Sequence, residues 1–94
     1  MAVTHGGKLT LRFVSEADGT ACFEVELETA AGVCLGRAAV VLEGGAVSFY
    51  MTAGAPPTWL LDAARAQFRA LWRARTAQPG GTWPRRVTRW REAP

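Results

Sequence analysis

At 94 residues the chain has room for one domain (1–94) with a thin core, since domains commonly run to about 100–150 residues. Hydrophobic residues make up 49% and charged residues 20%, which excludes a disordered tract, and no apolar run approaches the roughly 18–20 residues of a membrane helix. The net charge is +3, but residues 1–55 hold three bases against six acids and residues 56–94 eight arginines against two acids. Such asymmetry points to an acidic partner: nucleic acid, a membrane surface or a protein. One lysine against ten arginines is also what a GC-rich coding sequence produces.

The first residues carry no basic stretch followed by a long apolar one, so the default compartment is the cytoplasm, and 1–7 are expected to be flexible. From there the chain alternates. Leu9, Leu11 and Phe13, then Phe23, Val25 and Leu27, recur at period two between polar residues; 33–42 is apolar on both faces apart from Arg37; Val47, Phe49 and Met51 alternate again. Asp18-Gly19 suits a two-residue hairpin turn, and Ala30-Ala31-Gly32 and Glu43-Gly44-Gly45 each suit a three-residue loop with the last Gly left-handed. Strands so joined form an antiparallel meander over 8–52.

Those loop lengths pair Thr29 with Val33 and Leu42 with Ala46, so odd residues face odd residues throughout. The expected core side then holds Leu9, Leu11, Phe13, Phe23, Val25, Leu27, Leu35, Ala39, Val41, Val47, Phe49 and Met51, with Arg37 as the one intruder. Arg37 either lays its stem over the sheet or meets a ligand. The opposite side combines an acidic row (Glu24, Glu26, Glu28) with an apolar patch of Ala38, Val40, Leu42 and Tyr50. That patch needs a cover, from the C-terminal segment or a second subunit. Cys22 and Cys34 match no redox or zinc spacing and are expected to be free.

Pro56-Pro57 introduces a helix over 56–77, stopped by Gln78-Pro79-Gly80-Gly81. Leu60, Leu61, Ala64, Phe68, Leu71 and Trp72 form its core stripe; Arg65, Arg69 and Arg73 form a basic row beside Asp62; Ala63, Ala66, Ala70 and Ala74 form a third face. The tail, 82–94, gathers Trp83, Arg85, Arg86, Arg89, Trp90 and Arg91. Arginine with tryptophan suits single-stranded nucleic acid, a protein interface, or a tail pinned to its own or a partner's sheet.

The fold class is therefore α+β: a four-stranded antiparallel meander, one long amphipathic helix (ββββα) and an extended basic tail. His5 is the only histidine and no acid–base, nucleophilic or metal-ligand set can be assembled, so neither an enzyme nor a cofactor is expected. Two functions remain. One is a homodimeric interaction module using the apolar patch and the tail. The other is a single-stranded DNA or RNA binder using the basic helix and tail: four antiparallel strands followed by a helix is similar in element order to the PC4 and Whirly-like groups of single-strand binders, which are usually dimers. That likeness carries no shared motif and assigns no residue.

Overall fold

A computed structural model describes residues 5–94. Four strands, β1 (Gly7–Ala17), β2 (Thr20–Thr29), β3 (Gly32–Val41) and β4 (Val47–Ala53), run as an antiparallel meander and are followed by helix α1 (Thr58–Thr76). The tail then returns as a fifth strand, β5 (Arg86–Arg91), antiparallel to β1, so the sheet order is β4-β3-β2-β1-β5. Residues 1–4 of the expected flexible stretch lie outside the described residues, whereas Gly6 and Gly7 are buried and Gly7 opens β1.

The first hairpin closes as its turn chemistry requires. Asp18 (φ 53°) and Gly19 (φ 76°) are both left-handed, and Ala17 pairs Thr20. The second does not follow the three-residue expectation. Gly32 sits at φ 137°, extended enough to pair Thr29, so only Ala30 and Ala31 form the turn, with the Ala31 N–H donating to Thr29 Oγ1 at 3.2 Å. Leu27 thus pairs Cys34 instead of Leu35, and every β3 side chain changes face. Ala38 and Val40 lie in the protein's own core, at 4% and 0% exposure, and Leu42 is half-buried against it. Three of the four residues expected in an outer patch are therefore covered within the monomer. Leu35, Arg37 and Val41, expected inside, point out. The third hairpin uses four residues, with Val41 and Ala46 paired (Val41 N–H to Ala46 O, 2.9 Å), which keeps Val47, Phe49 and Met51 on the core side.

α1 covers that side. Leu60, Ala64 and Phe68 are fully buried, and Leu61, Leu71 and Trp72 pack around them. Phe68 meets Phe23 and Phe49, with ring centroids 4.9 and 5.9 Å apart; Phe23 also meets Phe13 and Trp83 edge-on at 5.5 and 5.3 Å. Trp72 donates from its indole to the Leu42 carbonyl at 2.6 Å, tying the helix to the β3–β4 turn.

A β-bulge in β1 between Phe13 and Ser15 anchors the tail. It turns Val14 outward and brings Glu16 opposite Ala21, on the helix side. There Glu16 accepts from the Trp83 indole at 2.7 Å and from Arg75 Nε and Nη2 at 3.3 and 3.1 Å. The Trp83 and Arg75 hydrogen bonds hold the Glu16 carboxyl below the usual carboxylate range, against a smaller opposing effect of desolvation.

Two outcomes follow from this architecture. Gly32→Ala meets no atom within 4 Å yet forces a residue with a Cβ to φ 137°, so we expect a loss of about 1–3 kcal/mol in a urea melt; an unchanged midpoint would refute the two-residue turn. Because the folded pKa of Glu16 is depressed, its contribution is present above the unfolded value and lost as pH falls through the lower folded one. Stability should therefore decline from about pH 4.3 downward. Glu16→Gln should weaken that decline, read as the pH dependence of the melting temperature and of Trp83 emission.

Candidate interaction surface

With α1 on one side, the sheet leaves its other face uncovered, and period two decides what stands there. Register places Arg86, Arg12, Glu24, Arg37 and Tyr50 in one row across all five strands. On one side of this row come Thr88, Thr10, Glu26 and Leu35, then Trp90, Lys8, Glu28 and Val33. On the other lie Ser15, Cys22, Ala39 and Ser48.

The exposed large hydrophobic residues collect here. Val33, Leu35, Val41, Tyr50 and Trp90 are 39–72% exposed, and the bulge adds Val14 at 55%. Two adjoining shallow depressions of about 370 Å³ each indent the face: one polar, between Arg12, Arg37, Arg86, Glu24 and Glu26; the other bordered by Val14, Cys22, Ala39 and Tyr50.

Charges on this face are mixed. Arg12 pairs Glu24 and Lys8 pairs Glu28, both at 3.4 Å, and the Lys8 ammonium also lies 5.9 Å from the Trp90 ring centre. Among the described residues, Arg37 and Arg86 have no carboxylate within ion-pair distance and Glu26 has no cation. Surface pairs such as these, the first exposed and the second half-buried, stabilise the monomer little. They set which surface can be laid against the sheet.

The residues singled out by sequence are scattered. Trp83 is buried against Phe23 and is a core residue. Arg85 contributes its carbonyl, accepting from the Phe13 N–H at 3.0 Å, and its side chain is exposed. Arg86 and Trp90 stand on the open face, as does Tyr50. Arg89 and Arg91 project from β5 toward the helix side; they donate to the Thr88 and Trp90 carbonyls at 2.9 and 2.8 Å, and Arg91 reaches Gln67 at 3.3 Å. Arg65 lies at the far edge of the sheet, bonded to the Val47 carbonyl at 2.6 Å and stacked 5.2 Å from the Phe49 ring centre. Arg69 and Arg73 continue its row and are exposed.

Arg65 at the β4 edge and β5 are thus separated by the width of the sheet, roughly 19 Å at ~4.8 Å per strand. The helix arginines and the tail arginines do not form one basic track. Sequence reasoning missed Leu35, Val33, Val41 and Arg37 as surface residues; Arg37 itself was the usable signal, since a guanidinium seldom lies between a sheet and its covering helix.

Among the described residues, no three His, Cys, Asp or Glu side chains are gathered to hold a metal ion, and no helix is long and apolar enough to cross a membrane. Comparison with protein families, curated proteins and solved structures gives no match.

Cys22 stands on the open face and is exposed, whereas Cys34 is half-buried on the helix side beside Gly54. Cys22 should therefore react with a thiol reagent several-fold faster than Cys34, as measured on the Cys22→Ser and Cys34→Ser variants. Equal rates would contradict this β3 register.

Proposed function

We propose that the protein is a non-enzymatic interaction module that forms a homodimer by laying two open sheet faces together. One observation carries the reading: the exposed large hydrophobic residues share this single face, while the other side of the sheet is filled by α1. They alternate with Lys8, Glu28 and Arg37, giving the mixed apolar and charged surface of a protein–protein contact.

The area is adequate. Five strands at about 4.8 Å, each some 25 Å long, span roughly 600 Å² in projection, and a corrugated side-chain surface exceeds its projection. Stable interfaces bury about 800 Å² per partner. Charge favours a second copy as the occupant. The face carries spare cations (Arg37, Arg86) and a spare anion (Glu26), so a twofold contact can bring Arg37 of each copy to Glu26 of the other, around a centre formed by Leu35, Tyr50 and their symmetry mates.

A single-stranded nucleic acid is the second reading. It is favoured by Tyr50 standing beside Arg37, and by Trp90 sharing a strand face with Arg86, on an open antiparallel sheet. Against it, Glu26 stands unpaired in the middle of that face and would repel a phosphate, while Glu24 and Glu28 hold Arg12 and Lys8 in ion pairs.

Light scattering at about 100 μM should give twice the monomer mass, and Leu35→Glu, which alters no core contact, should return it to the monomer with the far-UV spectrum unchanged. Cys22 should become less reactive as protein concentration rises. A monomeric wild-type protein at that concentration would refute the dimer. Saturable, salt-sensitive quenching of Trp90 by an oligonucleotide, lost in Arg86→Glu, would install the second reading in its place.

A further inference from the structure

The two edges of the sheet are finished differently, and the difference points to a binding site. Every sheet edge presents main-chain N–H and C=O groups that another strand can use, and proteins usually block them. At the β5 edge the main-chain groups of Arg86, Thr88 and Trp90 point outward, because the alternate residues pair with β1. Arg89 and Arg91 fold back and close two of those carbonyls, at Thr88 and Trp90. Three arginines in six residues complete the protection.

β4 has no such defence. Val47–Ala53 contains no charge and no proline. Val41 bonds Ala46, and Ala39 and Arg37 pair Ser48 and Tyr50, so the main-chain groups of Val47, Phe49 and Met51 point away from the sheet. Among the described residues, one of them has a partner: the Val47 carbonyl accepts from Arg65. Arg69 and Arg73 extend the Arg65 row along α1 toward the turn where Trp72 meets Leu42, past the N-terminal end of β4.

We propose that the β4 edge is a strand-addition site for an extended segment of a partner protein, paired antiparallel to β4 and acidic toward its own C-terminal end. Antiparallel pairing brings the C-terminal end of the incoming strand beside Val47, where Arg65, Arg69 and Arg73 stand. Main-chain bonds to Phe49 and Met51 supply the pairing, and carboxylates on the helix side supply the selection. Arg65 holds the Val47 carbonyl until a carboxylate draws the guanidinium away. A second copy fits this edge less well. Its β4, added antiparallel, would lay residues 50–55 against the arginine row, and that stretch contains no acid. The site is separate from the open face and does not depend on dimerisation there.

The probe is a fluorescein-labelled peptide, Val-Thr-Val-Thr-Val-Glu-Thr-Glu, followed by anisotropy at 50 mM salt. Three controls are the reversed sequence, the same peptide with Lys for Glu, and the same peptide N-methylated on every residue. Binding in the range of roughly 10–100 μM is expected, at least five-fold weaker for the reversed peptide and ten-fold or more weaker for the other two. Arg69→Glu combined with Arg73→Glu should weaken binding about ten-fold with an unchanged far-UV spectrum, and the Phe49 amide should gain protection from hydrogen exchange only when peptide is added. Three results would overturn the proposal: no binding at 1 mM, N-methylated peptide binding as well as the parent, or Phe49 protection that rises with protein concentration alone, which would assign the edge to a second copy. Leu35→Glu should bind the peptide as the wild type does, so failure of the sheet-face dimer and failure of the strand-addition site are read separately.

Discussion

Arg37 decides the architecture. The two registers open to β3 differ by one residue, and a one-residue slip exchanges its whole side-chain set between faces. One register puts Leu35, Arg37, Ala39 and Val41 under the helix; the other puts Cys34, Gly36, Ala38 and Val40 there. Val replaces Val and Ala replaces Ala, so the apolar exchange is nearly neutral, with Leu to Cys losing about 1–2 kcal/mol of burial. The remaining exchange removes a guanidinium from beneath the helix and substitutes glycine. Burying an unpaired charge costs several kcal/mol, so the second register wins. The structure adopts it, and Gly32 at φ 137° permits it by ending the turn one residue early.

The small residues this register places in β3 are what the rest of the core is built on. Ala38 lies between Phe23 of β2 and Phe49 of β4, and Phe68 of α1 closes on both rings. Gly36 lies so near Met51 and the Tyr50 carbonyl that a Cβ would come within 2.6–2.7 Å of them. With Phe23 settled at the centre, Trp83 completes the cluster by stacking edge-on against it while its indole N–H reaches Glu16. A buried indole donor needs an acceptor. The bulge at Val14 provides one by turning Glu16 inward, and Arg75 balances the carboxylate from the last turn of α1. This contact joins β1, α1 and the tail, and from it residues 86–91 continue along β1 as a strand.

How much of this could be read from the residues depends on whether a local rule or a distant contact decided each feature. The strands, their antiparallel order, the helix and its Leu60–Ala64–Phe68 stripe followed from alternation, turn residues and helical periodicity, all of them local. Asp18-Gly19 was legible for the same reason. The β3 register was not, because Ala30-Ala31-Gly32 can close with two or three residues and the choice is made by what Arg37 would meet across the sheet. The fifth strand was hidden because Arg86–Arg91 has one buried side chain, Val87, and its strand character comes from β1. At the surface, Tyr50, Trp90 and Arg86 were legible as exposed candidates, whereas Leu35, Val33 and Val41 became surface residues only when the register moved them.

The positive charge of the C-terminal half looks different once it is placed in space. Arg75 is paired with Glu16, Arg89 and Arg91 bond main-chain carbonyls, and Arg65 bonds Val47. Arg69 and Arg73 lie along the helix, on the side of the sheet opposite the face that carries Arg37 and Arg86. A single-stranded chain laid on the open face would meet two unpaired cations, Arg37 and Arg86, and one unpaired glutamate, Glu26, with Arg12 and Lys8 already paired to Glu24 and Glu28; affinity from counterion release scales with the number of phosphates neutralised, and two cations neutralise few. A protein surface has no such requirement for a continuous run of one sign. It can match Arg37 with an acid and Glu26 with a base, and it gains from covering Leu35, Val41 and Tyr50, which a phosphate backbone does not.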